Sequence, residues 1–248
     1  MALIYAVVIR ICIMSDISTK IYAANVTELR NEALYNLAYN KVTDERRKKT
    51  DSFRLKRDRQ LSLGAELLLM QGLKEWGINP KEIKYYYGAN GKPYLTGGQN
   101  IYFNLSHSEE TVICAVSLCE IGCDIEKISD YKLQVAKKFF CEDEYEMIVS
   151  QTTKEARQNI FFRLWTLKES FIKLKGMGMS MPMNSFSIKL DTNEIIINQK
   201  FCDEKCYFQE LDLRKDYKCA VCGFDKDIGI KGRVPSEILN IYDILNDV

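Results

Sequence analysis

The chain has 248 residues, 46% of them hydrophobic and 28% charged, and its 35 basic and 34 acidic side chains leave a net charge of +1. That length can bury one large core or two modest ones. The near-neutral balance excludes the global field that draws nucleic acid or a membrane surface, so any anion site is local.

In chain order, Leu3-Ile-Tyr-Ala-Val-Val-Ile9 is apolar but short, and Arg10 follows it without a basic leader or a small-residue cleavage site. It predicts a first strand rather than a signal or a membrane span. Nine cysteines, an odd number with several in apolar stretches, then point to a reducing, cytoplasmic setting. Residues 26–40 form an amphipathic segment, 43–50 a charged helix, and 55–76 a longer helix that buries Leu61, Leu63, Leu67, Leu68 and Met70 before Asn79-Pro80 ends it. Short strands are expected at 85–87 and 101–104, around turns at Asn90-Gly91 and Gly97-Gly98, followed by strands at 111–118 and 121–128. The second half repeats this order: helical over 131–174, strands near 185–190, 194–199, 206–213 and 217–224, and a peripheral helix at 234–248. The class is α+β, with two similar halves (1–120 and 121–248), each of helices packed on a small antiparallel sheet.

Two segments carry most of the chemistry. In Gly122-Cys-Asp124-Ile-Glu126-Lys-Ile128, a strand puts Asp124 and Glu126 on one face and Cys123 and Ile125 on the other. In Trp165-Thr-Leu-Lys168-Glu169-Ser-Phe-Ile-Lys173, a helix gathers Leu164, Leu167, Phe171 and Leu174 into one stripe and leaves Trp165, Lys168, Glu169, Ile172 and Lys173 across the other half. Two oxygen ligands on a strand and a third on a helix suit Mg²⁺, which keeps waters and substrate phosphates in its other positions. Either segment alone also reads as a solvated acidic face or an ordinary i,i+4 ion pair.

Weaker signals surround these. Arg46, Arg47, Lys48, Lys49, Arg54, Lys56, Arg57 and Arg59 form either an anion clamp or a solvated helix face. Asn90-Gly91-Lys92-Pro93-Tyr94 sets a lysine in a stiff turn, and Asn104-Leu-Ser106-His107-Ser108 holds the only histidine beside two hydroxyls. Cys202, Cys206, Cys219 and Cys222 imitate a zinc spacing, but residues three apart on a strand face opposite ways, so Cys219 and Cys222 do not chelate together. Gly176-Met-Gly-Met-Ser-Met-Pro-Met183 reads equally as an adaptable docking surface or as an edge strand with its methionines in the core.

Taken in order, these motifs, with Phe139-Phe140, Glu144-Tyr145, Asn184-Ser-Phe-Ser-Ile188 and Tyr217-Lys-Cys-Ala-Val-Cys222, resemble the 4′-phosphopantetheinyl transferases of the long, pseudo-dimeric type. The resemblance runs from about Ile4 to Cys222. It implies a pseudo-twofold pair of halves with the active site at their junction, and a monomer. It implies Mg²⁺-dependent transfer of the phosphopantetheine arm of coenzyme A to a serine of an apo acyl or peptidyl carrier protein, releasing adenosine 3′,5′-bisphosphate. The matching Asp124, Glu126 and Glu169 hold the metal, and Glu169 is the base, with Lys173 beside it. Arg46, Lys49, Ser62, Lys92, Ser106, His107 and Lys173 match coenzyme-phosphate positions, with Gly91 and Pro93 on the adenine side. The competing functions are an Mg²⁺-dependent hydrolase of coenzyme A or a nucleotide diphosphate, and a non-catalytic coenzyme A-binding paralogue. The intact carboxylate triad argues against the latter.

Overall fold

A computed structural model describes residues 17–97, 100–192 and 194–247, so the apolar stretch at 3–9 lies outside the described residues. The first described element is β1 (Thr19–Asn25), which was not expected because Thr19, Lys20 and Asn25 leave only a short apolar centre. Asn31 accepts from the amides of Ala33 and Leu34 to start α1 (Glu32–Lys41), and Thr43 accepts from Arg46 to start α2 (Asp44–Ser52). α3 (Lys56–Glu75) has no side-chain cap and stands on its buried face. β2 (Tyr85–Tyr87) and β3 (Pro93–Leu95) form a hairpin whose turn needs Gly91 at φ +82°. β4 (Tyr102–Ser108), β5 (Thr111–Ser117) and β6 (Ile121–Lys127) complete the first run of strands.

The helical stretch expected over 131–174 is three helices, α4 (Leu133–Phe139), α5 (Glu142–Val149) and α6 (Lys154–Lys175). Glu144 closes a capping box on Cys141, and Thr153 starts α6, which Gly176 ends in the left-handed region. β7 (Ser187–Leu190), β8 (Ile195–Asn198), β9 (Tyr207–Glu210), β10 (Tyr217–Gly223), β11 (Ser236–Leu239) and α7 (Ile241–Asp247) follow.

The strands make a sheet of order β11-β1-β5-β4, a sheet of order β6-β10-β9, and the hairpins β2-β3 and β7-β8. Side-chain alternation sorts the core into layers. Tyr22, Ala24, Val112, Cys114 and Val116 pack under α3, whereas Ile21, Ala23, Ile113 and Ala115 leave the other face. There they meet Cys123, Ile125, Cys219 and Val221 of the second sheet. Ala220 and Cys222 leave that sheet's far face and pack with Leu164, Leu167, Phe171 and Leu174 of α6. The order is therefore helix, sheet, sheet, helix. Full burial of Leu167, Phe171 and Leu174 contributes about 1.5–3 kcal/mol each.

Three expectations are corrected. The tail is not a lone peripheral helix: β11 pairs parallel with β1, and Ile241, Ile244 and Leu245 join the core under α3. The methionine segment is neither an edge strand nor one surface. It folds into tight turns at Gly178–Ser180 and Met183–Ser185, burying Met181 and Met183 while Met179 is fully exposed. Lys168 and Ile172 are not on an outer half of α6 but buried. Cys219 and Cys222 do face opposite ways, into different clusters.

Candidate active site

β6 ladders with β10 along one edge, in register Asp124↔Ala220 and Glu126↔Lys218. Its other edge is closed by side chains of β4. Asn104 Oδ1 accepts from the Cys123 amide (2.9 Å), Ser106 Oγ from that of Ile125 (3.4 Å), and Ser108 Oγ from that of Lys127 (3.0 Å). Alternate side chains of one strand thus serve alternate amides of the next, and the seam between the two halves runs through them.

The acidic pair lies along this seam. Ser106 Oγ donates to Asp124 Oδ1 (2.7 Å), which also takes Lys173 Nζ (2.6 Å), and Lys173 reaches Ser106 Oγ (2.8 Å). Ser108 Oγ donates to Glu126 Oε2 (2.7 Å). Gly122 lets α6 approach. A Cβ there would collide with the Ser170 carbonyl oxygen and the Leu174 amide nitrogen, so only glycine allows the helix to bring Glu169 and Lys173 against β6.

The electrostatics follow from this crowding. Burial and then Asp124 push the Glu126 carboxyl up to about 7, against the lowering effect of Ser108 and Lys173. Burial and then Asp124 also raise Glu169. Burial works to lower Lys173, but Asp124 and its neighbours outweigh it and the ammonium is held above its ordinary range.

His107 is exposed on β4, on the face opposite Ser106 and Ser108; surrounding protein and then Lys173 lower its imidazole pKa. Arg46 is bound through Nε by the fully buried Glu66 (2.6 Å), and its terminal amines have no hydrogen-bond partner among the described residues. Glu66 also accepts from the Thr43 amide (3.1 Å) and Tyr85 Oη (3.3 Å). Lys49 stands exposed near Arg46, its pKa lowered by desolvation and then by that charge.

Three expected phosphate contacts are engaged elsewhere, the first being Ser106, taken up by Asp124, Lys173 and the Ile125 amide. Ser62 is buried against Thr50 Oγ1 (2.9 Å). Lys92 turns inward, its ammonium on the carbonyls of Leu174 (2.8 Å) and Ile121 (3.2 Å), while Asn90 Nδ2 reaches the Gly176 carbonyl (3.1 Å). The Gly91-Lys92-Pro93 turn therefore caps the C-terminus of α6, where a cation suits the helix dipole. Sequence reasoning missed Asn104, Ser108 and Glu66. The alternation Asn104, Ser106, Ser108 was the legible signal for the first two, whereas Glu66 sat unmarked in a helix.

A divalent cation fits the site. Asp124 Oδ2 is buried and has no hydrogen-bond partner among the described residues, and Asp124, Glu126 and Glu169 repel one another electrostatically. The three do not converge as a tight all-protein cage. Among the described residues the group whose ligand atoms all lie within 4.8 Å is Cys141, Asp143 and Glu144, and Glu144 is already paired with Lys168. Carboxylates that do not close a cage suit Mg²⁺, which leaves the rest of its octahedron to water and phosphate oxygens.

A model of the 4′-phosphopantetheinyl transferase superfamily matches residues 120–222, and a model of the N-terminal region of 4′-phosphopantetheinyl transferases matches residues 30–119. A 4′-phosphopantetheinyl transferase of Bacillus subtilis is 34% identical over 202 residues, covering 80% of this chain and 90% of the relative. The 4′-phosphopantetheinyl transferase Sfp of Bacillus subtilis strain 168 is 32% identical, covering 75% of this chain and 84% of the relative. The 4′-phosphopantetheinyl transferase gsp of Aneurinibacillus migulanus is 35% identical, covering 76% and 79%. With that identity sustained across both halves, the chain belongs to the 4′-phosphopantetheinyl transferase superfamily of enzymes.

Proposed function

We propose that this enzyme takes its phosphopantetheine arm from coenzyme A, works with Mg²⁺ held by Asp124, Glu126 and Glu169, and modifies the serine of an apo acyl or peptidyl carrier protein. The observation that carries this reading is Asp124, fixed through Oδ1 by Ser106 and Lys173 with Oδ2 buried and without a hydrogen-bond partner among the described residues. Mg²⁺, when bound, supplies charge neutralisation to the diphosphate.

Glu169, its pKa raised by burial and then by Asp124, is suited to accept the serine proton. The serine oxygen bonds to the phosphorus that bears the pantetheine, the diphosphate bond breaks, and adenosine 3′,5′-bisphosphate leaves. Lys173 stays charged beside that diphosphate and stabilises the negative charge that builds on it. Arg46 and Lys49 with His107 take the nucleotide phosphates, Arg46 through its terminal amines, since Glu66 binds its Nε. Lys92, with Gly91 and Pro93, contributes by holding the end of α6. Both halves of the chain supply this site, Ser106 and Ser108 from the first and Asp124, Glu126 and Glu169 from the second, which supports a monomer as the active unit.

The test is incubation with coenzyme A, Mg²⁺ and a panel of apo carriers, read by intact mass. A gain of one phosphopantetheine on a carrier, absent when its serine is replaced by alanine, is expected. Coenzyme A cleavage at equal rate with and without carrier would turn the reading into a hydrolase.

A further inference from the structure

Ser108 serves the Lys127 amide in the seam, but its hydroxyl also reaches a carboxylate, which closing the seam does not require. Its hydroxyl has one proton and two lone pairs. The Lys127 amide can only donate, so it occupies a lone pair of Ser108 Oγ (3.0 Å), and the single Ser108 proton is directed to Glu126 Oε2 (2.7 Å). Two residues earlier the same device recurs. Ser106 receives the Ile125 amide (3.4 Å) and Lys173 Nζ (2.8 Å), and gives its proton to Asp124 Oδ1 (2.7 Å). Two hydroxyls at period two on β4 thus address two carboxylates at period two on β6, each holding one oxygen of its carboxylate.

We propose that Ser108 is a positioning residue for the metal site: its hydroxyl, locked by the Lys127 amide, fixes Glu126 by Oε2 and leaves Oε1 as the oxygen offered to the cation. The inference rests on the reading of Asp124, Glu126 and Glu169 as the Mg²⁺ site. It makes β4 of the first half the strand that aims the carboxylates of the second. Partners of this outer kind orient ligands and typically contribute 10–100-fold to metal affinity.

Asn104 supplies the control. Its Oδ1 clasps the Cys123 amide (2.9 Å) in the same seam, and among the described residues no hydrogen bond joins Asn104 to a carboxylate. Mn²⁺ binding is titrated by electron paramagnetic resonance on the enzyme with saturating coenzyme A and no carrier protein, so no turnover occurs. The expected result is a Kd for Mn²⁺ raised about 10-fold or more in Ser108→Ala, close to wild type in Ser108→Thr, and unchanged in Asn104→Ala. Both alanine variants should lower the melting temperature, because each opens the seam. Ser108→Cys, which keeps the volume and donates weakly, replaces the alanine variant if that one does not fold. Wild type that binds Mn²⁺ with Ser108→Ala unchanged overturns the inference alone, as does an equal loss in Ser108→Ala and Asn104→Ala. Wild type that binds no Mn²⁺ overturns the metal reading and the inference with it.

Discussion

Lys168 stands next to Glu169 in sequence, yet it is a structural cation, and replacing it with methionine tests that distinction. Lys168 and Glu144 are both fully buried, with Nζ and Oε2 2.9 Å apart. Nζ also donates to the carbonyls of Met183 (2.8 Å) and Phe186 (2.5 Å), and Glu144 accepts from the amides of Cys141 (2.9 Å) and Ile188 (2.7 Å). The pair therefore ties α5, α6 and the start of β7 together. Lys168→Met leaves a buried carboxylate without its cation and orphans two carbonyls, a loss of about 3–5 kcal/mol. For a chain of this size that corresponds to roughly 6–20 °C in melting temperature. Urea unfolding followed by tryptophan fluorescence reads it directly, since Trp165 packs on Phe139, Phe140 and Phe161 in the same core. The double variant Lys168→Met with Glu144→Met should recover much of the loss, because a buried ion pair exchanged for apolar side chains is often neutral. Transfer per folded molecule should remain near wild type in both. A Lys168→Met protein of unchanged stability but more than 100-fold slower transfer would refute the reasoning and place the ammonium on substrate.

Gly122→Ala forces a methyl group against the backbone of α6, so a loss at or above the upper end of about 1–3 kcal/mol is expected, with transfer abolished even in the folded fraction; wild-type transfer by this variant would show that α6 tolerates displacement. In metal-free enzyme, the folded-state pKa of Glu126 near 7 exceeds the unfolded carboxyl value, so its contribution to stability is present at acid pH and is lost as pH rises through neutrality. Glu126→Gln should therefore melt higher than wild type at pH 8 in chelator and the gap should close by pH 4.5, whereas a gap independent of pH would remove the repulsion argument. Lys92→Met should lower the melting temperature by orphaning the Ile121 and Leu174 carbonyls while leaving discrimination between coenzyme A and its 3′-dephospho form intact. His107→Ala should do the reverse, narrowing that discrimination by about 1.5–3 kcal/mol in calorimetric binding; the opposite assignment of the two effects would exchange their roles.

The carboxylate pair was legible because period two on a strand needs no tertiary knowledge, and the apolar stripe of α6 followed from its helical repeat. What a partner decides was not legible. Lys168 has the pattern of an outer-face residue, and partners distant in sequence, Glu144 and the Met183 and Phe186 carbonyls, bury it. Lys92 reads as an anion clamp until the Leu174 and Ile121 carbonyls surround it. β1 was missed since its pairing with β5 and β11 supplies what its own pattern lacks. The methionine segment alternates in sequence, which left an edge strand and a docking surface equally open, but two tight turns bury Met181 and Met183 and leave Met179 outward.

The most direct measurement is single-turnover transfer to an apo carrier by wild type and Glu169→Gln, with coenzyme A binding and melting temperature recorded for both. The variant should bind coenzyme A and melt close to wild type, while the mass gain on the carrier serine slows by at least 100-fold, as removal of a general base requires. Transfer at the wild-type rate by folded Glu169→Gln would contradict the account and move the base elsewhere in the site.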